Sequence, residues 1–272
     1  MNDPTFAAQL YSEPWAIMPS AFADLVRQVH DPSQRADDKV GHVHSSFGPV
    51  YSNQVELVGG VAIVPVHGVI GRHCSAFQQW IGMADTALLQ EQLRNIRDDK
   101  DVDLVVLNLR TPGGLALGLE ETAATIREVS AAGKPVIGYA DSLCASAGYH
   151  LVAACDAVYA DPSARVGSIS TIMAGVDSSK AWEDAGYELK LFASGALKAL
   201  GMGGKKWTEE EERHMEERLQ HFDGQFKNFV RSRRPVSDEH MQGQVWQAKE
   251  VSGLLVDGFA ETLPELVAGL LE

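Results

Sequence analysis

The chain has 272 residues, 45% hydrophobic and 22% charged, with a formal net charge of -14. That length supports a substantial buried core, in one large domain or one domain with appendages. The acidic balance argues against a nucleic-acid-binding surface, which needs clustered cations, and no run approaches the ~20 apolar residues of a membrane span. The three cysteines, Cys74, Cys144 and Cys155, have neither metal-ligand spacing nor an even disulfide count, which favours a reducing compartment. The opening Met-Asn-Asp-Pro-Thr-Phe lacks the pattern of a secretory signal, so the expected location is cytoplasmic.

Residues 1–57 read as an N-terminal arm and linker, and 58–272 as a single domain. In the arm, Pro19-Ser20 starts a helix over Ala21–Val29 with Phe22, Leu25, Val26 and Val29 at helical spacing. Residues 31–46 are polar, contain Pro32, and read as a flexible linker. The domain opens on Gly59–Ile70, an apolar run suited to a buried strand. A helix follows over Asp85–Arg97, with Leu88, Leu89, Leu93 and Ile96 as its stripe. Val102–Leu109 is a second strand ending at Thr111-Pro-Gly-Gly114, and Leu117–Val129 a helix closed by Gly133-Lys-Pro135.

Val136–Ala140 reads as a third strand, Ser146–Ala154 as a helix, Ala157–Ala160 as a fourth strand and Tyr187–Phe192 as a further one. Thr208-Glu-Glu-Glu211 has the form of a capping box and opens a long helix to Arg231. Met215, Leu219, Phe222, Phe226 and Phe229 form its apolar face, and Arg231 to Arg234 supply its C-terminal positive bias. The chain closes with 245–260 and a short helix after Pro264. Strands alternating with helices of about ten residues imply parallel pairing through crossovers, so the class is α/β.

Reactive groups in open α/β sheets gather where strand C-termini meet helix N-termini. Ser146 and Gly113-Gly114 both fall at such junctions. Taken singly, the serine caps a helix and the glycines make a turn; together they describe a nucleophile facing backbone donors for an oxyanion. A base is then required. Lys198, in a loop among Leu197, Ala199 and Leu200, is the stronger candidate, provided burial lowers its pKa. His150, one turn beyond Ser146, suits a core or rim role better, and His67 and His73 stay within reach of the cleft. Ser168 or Ser170 could steady the lysine, or simply belong to a turn. Cys144 reads as a small core residue.

Six ordered segments carry a resemblance: Val61–Ile70, Leu107–Gly114, Ala145–Tyr149, Ala164–Ile169, Ser194–Gly201 and Gln244–Asp257. The chain is similar, over roughly residues 58 to 262, to the signal peptide peptidase A family of Ser-Lys serine peptidases. The fold this implies is a Clp protease/crotonase-like core of parallel strands with crossover helices, here with an N-terminal arm and a long C-terminal helix. The resemblance implies Ser146 as nucleophile, Lys198 as general base, the N–H groups of Gly114 and Ala147 as oxyanion hole, and no metal or organic cofactor. It places Gly113, Ser168 and Ser170 beside the substrate. In relatives the lysine can come from a neighbouring subunit, so a homo-oligomer is expected.

Glu13-Pro-Trp-Ala-Ile17 and the helix after it resemble the branch encoded by tailed phages and prophages, which implies a head-maturation protease acting on scaffold, coat or portal proteins. Three alternatives are a bacterial peptidase degrading signal or short peptides, a non-catalytic shell protein of the same fold, and an acyl-CoA enzyme of the crotonase type. The last ranks lowest, because no second acidic residue sits beside Gly114 and the Ser-Lys pair would go unexplained.

Overall fold

The computed structural model describes residues 9–30, 54–80 and 82–272; the linker expected at 31–46 lies outside them. Three strands, β3 (Val61–His67), β6 (Leu104–Thr111) and β8 (Val136–Ala145), run parallel and adjacent. They are apolar almost throughout because both faces are covered. Ala62, Val64, Val105 and Leu107 pack with Leu89 and Leu93 of α3 (Thr86–Asp98) and Ile126 and Val129 of α4 (Leu119–Ala131). Val61, Ile63, Val106 and Ile137 point the other way, onto Leu266 and Val267 of α8 (Leu263–Leu271). The two-residue period of a strand thus sorts one sequence into two cores. The α/β class follows directly from this arrangement.

β8 then forks. Ile137–Ala140 pair with β9 (Ala157–Ala160), and Leu143–Ala145 pair with β10 (Arg165–Gly167). Antiparallel edges are added by β2 (Glu56–Val58) on β3 and by β11 (Val245–Gln247) on β10, while β12 (Gly258–Phe259) lies parallel to β9. Among the described residues, a second, smaller sheet takes β1 (Trp15–Ile17), β7 (Gly113–Leu115), β4 (Ile70–Gly71) and β5 (Ala84–Asp85) in the order β1-β7-β4-β5. β3 and β6 each feed it: the chain leaves the large sheet at Gly68 or Pro112 and enters the small one within a few residues. The arm helix α1 (Pro19–His30) packs Phe22 and Leu25 against Trp15, Met83 and Leu115.

Most expected elements occur within two residues of their positions, and four differences have physical causes. The strand expected at Tyr187–Phe192 is not formed. Those residues follow a short helix, α6 (Ser179–Asp184), and pair with no strand among the described residues; Phe192 is 93% exposed. β8 runs on to Ala145 through the polar Asp141-Ser142, because its second half exchanges β9 for β10. In α3, Leu88 is exposed and Gln90 takes a buried place, its amide donating to Thr122 Oγ1 at 2.9 Å. The long helix α7 (Glu209–Arg233) has the Thr208/Glu211 capping box, but of its apolar residues only Phe226, Phe229 and Val230, in the last third, are buried; Met215, Leu219 and Phe222 are half-buried.

Candidate active site

Ser146 stands alone between β8, which ends at Ala145, and α5 (Ala147–Ala153). Its backbone has φ 54° and ψ -114°, a conformation that costs a non-glycine residue about 1–3 kcal/mol and persists only where the surroundings hold it. A strand–serine–helix turn of this strained kind lifts a hydroxyl off the end of a sheet. The surroundings do hold it. The Ser146 N–H donates to Gly167 O at 2.7 Å, and its carbonyl accepts the His150 N–H at 2.9 Å. α5 is wholly buried and sits so close on β6 that a methyl on Gly148 would lie 2.3 Å from Thr111 Cγ2. The Ser146 side chain makes no capping bond to the helix, so capping does not account for a serine here. Its Oγ donates to Ser170 O at 3.4 Å.

Gly113 and Gly114 come to the same place from β7. Gly113 has φ 100°, and a methyl on it would lie 2.9 Å from Ser146 Cβ. A methyl on Gly114 would lie 2.0 Å from Ile70 O. Neither position has room for a side chain. The Gly113 N–H is already donated to Thr111 Oγ1 at 3.1 Å, which leaves the Gly114 N–H as the donor this turn can offer. Ala147 opens α5, where N–H groups have no intrahelical acceptor.

The third wall is the turn after β10. Ser168 is buried with φ 53°, its N–H donating to Gln244 O at 2.6 Å. The Ser170 hydroxyl donates to Asp223 Oδ1 at 2.8 Å, the Thr171 N–H reaches the same oxygen at 3.1 Å, and Lys227 Nζ pairs with Asp223 Oδ2 at 2.6 Å. Ser170 is thus held by a carboxylate on α7 rather than by Lys198. Sequence reasoning passed over Asp223 and Lys227. The only signal was their i,i+4 spacing, which reads as an ordinary surface pair, yet their side chains are 15% and 16% exposed.

Among the described residues no hydrogen bond joins Lys198 to Ser146, whose Oγ reaches Ser170 O. The Lys198 side chain is exposed, and no hydrogen bond or ion pair holds it among the described residues. The amine expected to be buried is exposed in the single chain, as is most of 187–198, with only Leu189 and Leu197 partly buried.

His150 has the core role expected of it. It stacks on Phe229 with centroids 4.3 Å apart, and its Nε2 lies 3.3 Å from Glu120 Oε1. Burial pushes its pKa below the ordinary value, so the ring is neutral and donates to Glu120. Burial pushes the Cys144 thiol up, as suits an inert core residue. Arg233 has a use beyond charge bias: its guanidinium donates to Ala153 O at 3.2 Å and Cys155 O at 3.3 Å, closing the C-terminus of α5. Among the described residues no three His, Cys, Asp or Glu gather as for a metal, and no helix is long and apolar enough to cross a membrane.

Residues 128–259, from α4 through β12, match Peptidase family S49. The chain is 32% identical to capsid assembly protease C of Escherichia phage lambda, over 57% of this chain and 35% of that protein. It is 28% identical to a chloroplastic serine protease of Arabidopsis thaliana, over 71% of this chain and 30% of that protein. The chain thus spans only about a third of the length of these two relatives. Among solved structures, an enoyl-CoA hydratase/isomerase from Marinobacter aquaeolei aligns over 80% of this chain and 73% of its own, with TM-score 0.44 and 15% identity. The matched region contains Ser146, its strained turn and the Ser168–Ser170 wall, and over it the chain is similar to peptidase family S49.

Proposed function

We propose that the chain is a serine endopeptidase in which Ser146 attacks a peptide carbonyl. The observation that carries this is Ser146 at a strained strand-to-helix turn, against a glycine that has no room for a side chain, inside the region that matches the family. The N–H groups of Gly114 and Ala147 stabilise the oxyanion, a contribution of about 10²–10³ in rate per donor in comparable sites. Lys198 is the general base. A lysine works as a base only where burial favours its neutral form. Its segment bears exposed apolar side chains, Tyr187 at 67% and Phe192 at 93%, which a second copy of the chain would cover. We therefore place the lysine of one copy at the serine of the next.

Ser146→Ala and Lys198→Ala should each abolish cleavage in folded protein. Mixing the two before assembly should restore activity up to about a quarter of wild type, because each intact site then draws serine and lysine from different copies. Retained cleavage by either variant alone would end the dyad reading; no recovery on mixing would return the lysine to its own chain. The substrates proposed are scaffold, coat or portal proteins of a phage head, on the likeness to the phage lambda capsid assembly protease. Processing of such proteins inside assembling procapsids, lost with Ser146→Ala, tests this; a preference for short free peptides would favour a housekeeping peptidase instead.

A further inference from the structure

β1 occupies a slot with a strand on each side. On one edge the Trp15 N–H donates to Ile172 O at 2.9 Å, and the Ile172 N–H returns to Trp15 O at 2.8 Å. On the other, Trp15, Ala16 and Ile17 stand opposite Leu115, Gly114 and Gly113 in antiparallel register. Ala116 N–H to Pro14 O at 3.0 Å and Met18 N–H to Pro112 O at 2.9 Å bracket that pairing. Hydrogen-bonded pairs recur at every second residue of an antiparallel ladder, so Ala16 and Gly114 are the exchanging pair between them. The Gly114 N–H, the oxyanion donor of the proposed mechanism, therefore points at the Ala16 carbonyl oxygen.

That carbonyl also lies beside the serine. A methyl on Gly113 would sit 2.3 Å from Ala16 O, 3.0 Å from Ile17 Cα and 2.9 Å from Ser146 Cβ, so all three crowd one point. Side-chain alternation fits the same placement. Trp15 and Ile17 turn into the cluster of Phe22, Leu25 and Met83, while the small Ala16 turns into the core that contains Cys144 and Ala147. Ser146 is fully buried.

We propose that Pro14–Met18 is a built-in occupant of the peptide cleft: the Ala16–Ile17 peptide stands beside Ser146 where a scissile bond would lie, and the strand must withdraw before a substrate enters. This rests on the peptidase reading above. Extended peptides are taken up by adding a strand to an exposed edge, with alternate side chains read by pockets, and β1 does this from within the chain. The Lys198 amine makes no hydrogen bond to Ser146 in the single chain, so the seated strand is held without being cut. Any substrate competes with a tethered strand, and apparent reactivity falls by the fraction of clefts that are open.

The test uses the full chain as wild type, Trp15→Ser and Ala16→Pro. The first variant removes a buried anchor, and the second removes an N–H from the middle of the ladder. Each form is treated with a fluorophosphonate, and labelling of Ser146 is timed by peptide mass spectrometry, with Ser146→Ala as blank and a circular dichroism melt as the check on folding. Both variants should label at least about tenfold faster than wild type. Equal rates in all folded forms overturn the occupant and leave the peptidase intact; no labelling in any folded form overturns the peptidase, and the occupant with it. Where a variant does not fold, wild type decides alone. With a peptidyl boronate ending in alanine bound, hydrogen exchange at the Ala16 and Met18 amides should speed up, and unchanged protection refutes the displacement.

Discussion

Replacing Gly114 by alanine tests the site through one methyl group. The new Cβ would lie 2.0 Å from Ile70 O and 2.6 Å from both Ile70 C and Ile70 Cα. These are backbone atoms of a fully buried two-residue strand, so no side-chain rotation relieves the overlap. β7 and β4 must part, which strains the small sheet by about 1–3 kcal/mol and puts at risk a bridging hydrogen bond of about 1 kcal/mol. The sum, about 2–4 kcal/mol, is a large share of the 5–15 kcal/mol typical of whole-protein stability. The same displacement carries the Gly114 N–H off its line, and losing one oxyanion donor slows the chemical step by about 10²–10³. Gly133→Ala is the control. Unlike Gly114 it has positive φ, but a methyl there meets nothing within 4 Å, so only the backbone term of about 1–2 kcal/mol is expected, with cleavage unchanged. Urea denaturation gives the stabilities and single-turnover acylation gives the rates. A Gly114→Ala protein as stable and as fast as the Gly133→Ala control would refute the argument.

Arg233→Ala removes the guanidinium that satisfies the last carbonyls of α5; a stability loss of about 1–3 kcal/mol is expected in urea, and an unchanged midpoint would contradict the role. Asp223→Asn keeps an acceptor for the Ser170 hydroxyl but loses the charge that pairs with Lys227, whereas Asp223→Ala loses both. Labelling of Ser146 should therefore fall in the order wild type, Asn, Ala, by about tenfold in all, and a flat series would remove Asp223 from the positioning of the site. His150 and His67 both have pKa values below the ordinary 6.5, burial being the first cause in each, with Arg110 adding to it at His67, which falls to about 4. The unfolded chain then binds protons first as the pH drops, so thermal stability should be flat above about 7 and decline from about 6.5 toward 4. His150→Phe should make that acid limb shallower; an unaltered limb would place the proton uptake elsewhere.

What the sequence made legible was what local pattern decides. Ala157–Ala160 forms a strand over the residues expected, because an apolar run that short has little freedom in register. Thr208 and Glu211 close their capping box because both partners lie within one helical turn. Pattern failed where a distant edge decides. Trp15–Ile17 is a strand only because β7 and Ile172 flank it, and Tyr187–Phe192 is not one because no strand among the described residues pairs with it. The candidate site divides in the same way. Small residues around Ser146 and the Gly-Gly turn were readable as ingredients. The positive φ at Ser146 and the clamp on Ser170 were not, since the first is imposed by packing and the second comes from Asp223, far along the chain.

The placement of serine and base on different kinds of structure has a consequence for control. Ser146 is fixed by β8, α5, β7 and the turn after β10, all buried and mutually packed. Lys198 sits on an exposed segment, 190–196 and Lys198 itself being exposed. Rigid elements hold a nucleophile and its donors to the sub-ångström tolerance that the chemistry needs, whereas a base carried on a surface segment is placed by whatever packs over that segment. On the two proposals above, a base from a second copy and β1 as occupant of the cleft, two events would have to coincide before a peptide is cut: a neighbour docks and the arm leaves. Either event alone would leave the serine intact and unused, and a proteolytic centre of the proposed design would stay silent in the isolated chain, acting only where copies are concentrated together.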